Sequence, residues 1–308
     1  MMKNMYFFFL LGLLFSCSED DSSAVDPQIT NFTVSEFDSS IEAPFGSLPY
    51  RVYYPKELTG DTYPIILSRG GNGQGDDRGK LVSYATNFIA EGYVVVQVDH
   101  RNAGNDIENI ARLRGEEIQF ISQKIADGQL DYGDFAGNVV GAKQGYMGHS
   151  AGAMEGMLAA GMNMTHGNYL APSIKAVYAM SPPGYAPDQF GIAQNPNGYG
   201  SIDQAAIFMI IGEDEKDSNG PGTIQQDNWR LQGYDQMNAD AFRMMVLVKG
   251  SNTQHEDVAG LNSGIKAYNE ENSVALFDSY LKGKDRNSEI GNLSPPSNNE
   301  MVISTKGN

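Results

Sequence analysis

The chain has 308 residues, 41% of them hydrophobic, and a formal net charge of −17. This suits one large α/β domain or two small ones with a sizeable core. A chain this acidic repels nucleic acid and anionic membrane surfaces, so neither is expected as a partner, and the charge is read as keeping the protein dispersed; a monomer is expected.

Lys3 is followed by an apolar run over residues 6–15, broken only by Gly12. About ten apolar residues are too few for a membrane-spanning helix, which needs about 20, so the segment reads as a secretory signal. Its ending, Leu14-Phe15-Ser16-Cys17, resembles the lipoprotein box of bacterial lipoproteins. The resemblance implies removal of residues 1–16 and lipidation of Cys17. Cys17 is the single cysteine, so the mature chain is expected to have no disulfide and no catalytic thiol. The acidic stretch after Cys17 resembles the surface-export signal of some Bacteroidetes lipoproteins, which implies an outer-membrane or cell-surface anchor. Residues 17–29 are expected to form a solvated tether and residues 30–290 the main domain.

Residues 30–37 alternate at period two and predict a strand. Residues 49–55 predict a second, bounded by prolines, and 63–67 a third, apolar on both faces as in a buried sheet. The third runs into Arg69-Gly70-Gly71-Asn72-Gly73. A helix over 80–91 stopping at Gly92, a buried strand over 93–98 and a helix over 107–126 follow. Gly145-Tyr146-Met147 then leads into Gly148-His149-Ser150-Ala151-Gly152 and a helix-like run over 153–160. Further strands are predicted over 174–180, 205–211 and 241–248. A loop is predicted over 184–204, a last helix over 272–281, and a loose tail over 291–308. Strands alternating with helices predict an α/β fold, a mostly parallel sheet with helices on both faces. Active residues in such sheets lie beyond the carboxyl ends of the strands.

Gly148-His149-Ser150-Ala151-Gly152 reads G-x-S-x-G between a strand and a helix, the context of a nucleophile elbow. A serine hydroxyl needs a base, and imidazole has the suitable pKa. Of the four histidines, His149 adjoins the nucleophile and should point away from the substrate face. His166 falls near a surface turn, and His100 ends a strand where it could line the cleft. His255 follows the last core strand and completes the chain order Ser, acid, His. The acid should follow the strand ending at Ile211, where Glu213, Asp214, Glu215 and Asp217 all qualify. The oxyanion donors are expected to be the backbone N–H groups of Ala151 and of Gly71 in the glycine-rich loop. The EF-hand, zinc, P-loop and Rossmann spacings are not matched, so no metal or organic cofactor is expected.

Several pieces resemble the α/β-hydrolase family, and within it the dienelactone-hydrolase-like and bacterial cutinase-like esterases. They are Ile66-Leu67-Ser68-Arg69-Gly70-Gly71, Ala90-Glu91-Gly92-Tyr93-Val94-Val95-Val96 before Asp99-His100, Arg114-Gly115, Met147-Gly148-His149-Ser150-Ala151-Gly152, Ile210-Ile211-Gly212, and Gly250 with His255. In the cutinase-like group the catalytic aspartate precedes Ser or Thr and then a proline. Asp217-Ser218-Asn219-Gly220-Pro221 fits that pattern, so the resemblance implies Asp217 as the acid, with one residue inserted. Glu215 is the alternative, reached by counting a G-x-x-D pattern from Gly212. The chain departs from the polyester-cleaving members. It has Gly71 where they place an aromatic, and Pro182-Pro183-Gly184 where they place a tryptophan. It also cannot form their terminal disulfide. These departures bear on polyester cleavage, not on the fold or the triad. The resemblance implies a serine hydrolase that cleaves carboxylic esters through an acyl-enzyme. An acyltransferase or peptidase on the same fold, or a non-catalytic binding lipoprotein, are the alternatives.

Overall fold

Short runs of Val, Ile and Leu build the interior of the sheet. Pro64–Ser68 and Val94–Val98 are buried at every position, as strands covered on both faces must be. The computed structural model describes residues 32–73, 78–79, 81–184, 191–192, 198–215 and 229–307. The signal and tether expected over residues 1–29, with Cys17, lie outside the described residues, as does Asp217.

The main sheet has nine strands: β1 (Val34–Ala43), β2 (Gly46–Pro55), β3 (Pro64–Ser68), β4 (Val94–Val98), β5 (Gln144–His149), β6 (Ile174–Met180), β7 (Ala206–Gly212), β8 (Arg243–Gly250) and β9 (Asn299–Lys306). Their spatial order is β1-β2-β4-β3-β5-β6-β7-β8-β9. The strands from β4 to β8 in that order run parallel. The β1–β2 hairpin and β9 close the two ends antiparallel. The chain is therefore an α/β protein with a mostly parallel sheet, as its alternation of strands and helices predicts.

Strand periodicity divides the core between the two faces. On one face Val94, Val96, Tyr146, Val177 and Ala179 stand beside Ile207, Met209 and Ile211, the inward row of β7. They pack with Ala111, Ile118 and Ile121 of α2 (Ile107–Ala126) and with Met154, Met157 and Leu158 of α3 (Ala151–Ala159). Val95, Met147, Tyr178, Phe208, Ile210 and Val246 face the other way. They pack on Tyr84, Phe88 and Ile89 of α1 (Val82–Ala90) and on Ile265, Leu276 and Phe277 of α5 (Ser263–Tyr280). Each fully buried side chain of this kind contributes about 1.5–3 kcal/mol. Asp106 caps α2 by accepting from the N–H groups of Glu108 and Asn109, which fixes where that helix starts beside the sheet.

Three stretches differ from the sequence reading. The tail expected to be loose over 291–308 contains β9, laddered along the whole of β8. Its period-two pattern, Met301-Val302-Ile303-Ser304-Thr305, is short and stands behind two prolines. The last helix begins at Ser263 rather than 272, because Asn262 caps it through the N–H groups of Gly264 and Ile265. A further helix, α4 (Trp229–Gln236), has no periodic apolar signal in the sequence.

Candidate functional site

Parallel strands end at the same edge of a sheet, so the loops after β3, β5, β7 and β8 converge. Ser150 follows β5 with φ 58° and ψ −121°, a strained geometry for a residue with a side chain. It is held by its N–H to the Met180 carbonyl at 2.9 Å, and by its own carbonyl accepting from Met154 N–H at 3.0 Å. Both motif glycines are needed for close approach. A Cβ on Gly148 would overlap the Gly152 carbonyl, and a Cβ on Gly152 would overlap the Ser68 carbonyl. Tyr146 adds a hydrogen bond to the Gly152 carbonyl at 2.8 Å.

The glycine-rich loop after β3 lies against this turn. A Cβ on Gly70 would stand 2.5 Å from the Ser150 Cβ. Gly71, Ser150 and Ala151 line one cleft of about 460 Å³, together with Asn72, Asn105, Ile107, Ile110, Met154, Pro183 and Arg230. A larger cleft of about 660 Å³, walled by Phe45, Phe120 and Leu170, contains none of the candidate residues. The smaller cleft is the one that Ser150 lines.

His255, in the loop after β8, directs Nδ1 to Glu215 Oε2 at 2.9 Å. Glu215 is fully buried, Glu213 half-buried and Asp214 exposed. The Glu215 Oε1 atom accepts from Ser181 Oγ at 2.6 Å and from the Gly212 N–H at 2.7 Å. Arg230 Nε forms an ion pair with Oε2 at 3.2 Å. Burial pushes the Glu215 carboxyl upward, but the His255 hydrogen bond and the Arg230 charge outweigh it and hold the group below its ordinary value. The geometry thus brings together Ser150, Gly71 and Ala151 in one cleft, and His255 with Glu215 as a hydrogen-bonded pair.

His149 is buried and contributes what the sequence did not disclose. Its Nε2 donates to the His255 carbonyl at 3.0 Å, and the two rings lie 4.5 Å apart. Burial, reinforced by the neighbouring His255, lowers His149 to about 3, so it is a neutral donor at neutral pH. His100 is buried and bound to Glu117 through Nδ1 at 2.7 Å, so it does not line the cleft. His166 pairs with the Tyr169 hydroxyl at 2.8 Å. Arg230, on the unforeseen helix α4, also donates to the carbonyls of Ser181 and Pro182 at 2.9 and 2.8 Å. Among the described residues no group of His, Cys, Asp or Glu could hold a metal ion.

No family model matches the chain, and no curated protein matches it in sequence.

Proposed function

We propose that the protein is a serine hydrolase of the α/β-hydrolase type that cleaves carboxylic esters. The observation that carries this reading is the His255–Glu215 pair at the same sheet edge as the strained Ser150 elbow. In this reading Ser150 Oγ attacks the ester carbonyl carbon while His255 takes its proton. Glu215 holds the imidazole in the right tautomer and stabilises its cation. The N–H groups of Ala151 and Gly71 hold the oxyanion. His255 then protonates the leaving alkoxide, and the acyl-enzyme forms. Water, deprotonated by His255, attacks the acyl carbon and releases a carboxylic acid and free Ser150. Glu215 takes the place that the family resemblance gives to Asp217. Ile107, Ile110 and Met154 supply an apolar wall suited to an acyl chain.

The same reading makes the protein an exported lipoprotein, a monomer tethered through lipidated Cys17 at the outer membrane or cell surface. The test is hydrolysis of p-nitrophenyl acetate, butyrate and octanoate by the purified protein beside Ser150→Ala, with fluorophosphonate labelling of both. Turnover and labelling that vanish in the variant support the reading. A wild type that neither turns over nor labels refutes it.

A further inference from the structure

A second buried charge cluster stands directly behind the Gly70-Gly71 loop, and the chemistry above does not use it. Ser68, His100, Arg114, Glu117 and Glu155 are all buried. Arg114 Nη1 reaches Glu155 Oε2 and Ser68 Oγ, each at 3.0 Å. Ser68 Oγ donates to Glu155 at 2.9 Å and lies 3.1 Å from His100 Nε2. His100 Nδ1 meets Glu117 Oε2 at 2.7 Å, and Arg101 Nε meets Glu117 Oε1 at 2.6 Å. One limb leaves this cluster: Arg114 Nη2 donates to the Gly71 carbonyl at 3.1 Å.

Buried ion clusters are weak contributors to stability, because desolvation consumes most of the attraction. A well-packed apolar core would serve the fold as well. The loop they reach has a specific need. Gly70 and Gly71 carry no side chains to anchor them, and glycine loses the most freedom on being fixed. The loop is held through its carbonyls: Asn72 by the Ala103 N–H at 2.8 Å, and Gly71 by Arg114. Arg114 is itself fixed by Glu155, which stands on the helix that starts at Ser150. The cluster thus ties the glycine loop to the nucleophile's own helix.

We propose that Arg114 is a positioning residue for the oxyanion hole: locked by Glu155 and Ser68, it holds the Gly71 carbonyl and so, across the Gly71 Cα, restrains the adjoining Gly70–Gly71 peptide whose N–H is the loop donor to the developing oxyanion. This rests on the serine-esterase reading above. A donor misplaced by a fraction of an ångström loses transition-state stabilisation while leaving ground-state binding intact.

Two variants of the full chain test it. Arg114→Lys keeps the charge, but a single ammonium cannot replace the fork that spans Glu155 and Gly71. Arg114→Met with Glu155→Gln removes one charge of each sign, which buried clusters tolerate better than loss of one partner. With p-nitrophenyl butyrate we expect kcat to fall about 100-fold in the double variant and about 10-fold in Arg114→Lys, with KM changed less than about twofold. The inhibition constant of a trifluoromethyl ketone, whose serine adduct carries an oxyanion, should rise by matching factors. Folded variants with wild-type kcat overturn the proposal, as does a change confined to KM. If the double variant does not fold, Arg114→Lys decides alone. A wild type without Ser150-dependent turnover removes the esterase reading and this inference together, whereas a competent wild type with competent variants removes only the inference.

Discussion

His149 holds the backbone carbonyl of His255 through a 3.0 Å hydrogen bond from Nε2, with the two rings 4.5 Å apart. The residue before Ser150 therefore holds the loop of His255. It stays neutral in the folded state down to about pH 3, whereas in the unfolded chain it takes up a proton near 6.5. Its folded pKa is depressed, so between these values the unfolded state binds more protons and stability falls as pH falls. Urea unfolding of His149→Gln, whose amide can still donate, should show a shallower loss between about pH 6 and about pH 4, by up to about 1.4 kcal/mol per pH unit. Parallel slopes in the two proteins would contradict the buried neutral histidine.

Glu215 is expected to be indispensable. Glu215→Gln should lower kcat by about 10³–10⁴-fold while the circular dichroism spectrum is unchanged, since the amide cannot hold the imidazolium. Asp217→Asn should keep wild-type kcat. The reverse pattern would return the role to Asp217.

Gly212 and Thr253 bring the loops of Glu215 and His255 into contact, for a Cβ on Gly212 would overlap the Thr253 carbonyl. Gly212→Ala should force the loops apart, lowering stability by about 1–3 kcal/mol and impairing turnover together. Thermal unfolding and p-nitrophenyl butyrate assays on one sample would show both. An alanine variant with unchanged melting and rate would mean that the loops are not in contact.

Asp278, on α5, accepts from Tyr93 at 2.7 Å and pairs with Lys282, Lys284 and Arg286 at 3.0–3.1 Å. Burial pushes this carboxyl up, but Lys282 and its other partners win and hold it at about 2. The stability it adds is complete above 3.8 and is lost as pH falls through about 2. Asp278→Asn should cost about 1–3 kcal/mol, since it weakens the hydrogen bond of the buried Tyr93 hydroxyl, whereas Lys284 and Arg286 reach solvent and are rehydrated. The kcat of the folded fraction should not change, which active-site titration with a fluorophosphonate would check.

Much of this arrangement is legible in the residues. The helix Ile107–Ala126 and the strand Ile174–Met180 fall where apolar spacing predicts them, because a period sustained over many residues leaves little choice. The G-x-S-x-G turn is legible because close backbone approach demands its glycines. The partner of His255 is not legible, since four carboxylates follow β7 in sequence with no local pattern to rank them; Glu215 meets His255 where the Gly212 N–H bonds its other carboxylate oxygen. Arg114 and Arg230 are hidden for a related reason. Each binds carbonyls far away in sequence, and no local pattern encodes such a partner.

The antiparallel strand β9 makes β8 an interior strand, although β8 leads directly to the loop of His255. A chain shortened to end before Asn299 would bare a row of unpaired amides and carbonyls along Arg243–Gly250, beside Met244 and Val246. Such an edge is a template for another chain. Trimming this polar ending, which reads as slack, would open the protein to self-association through the strand that leads to His255.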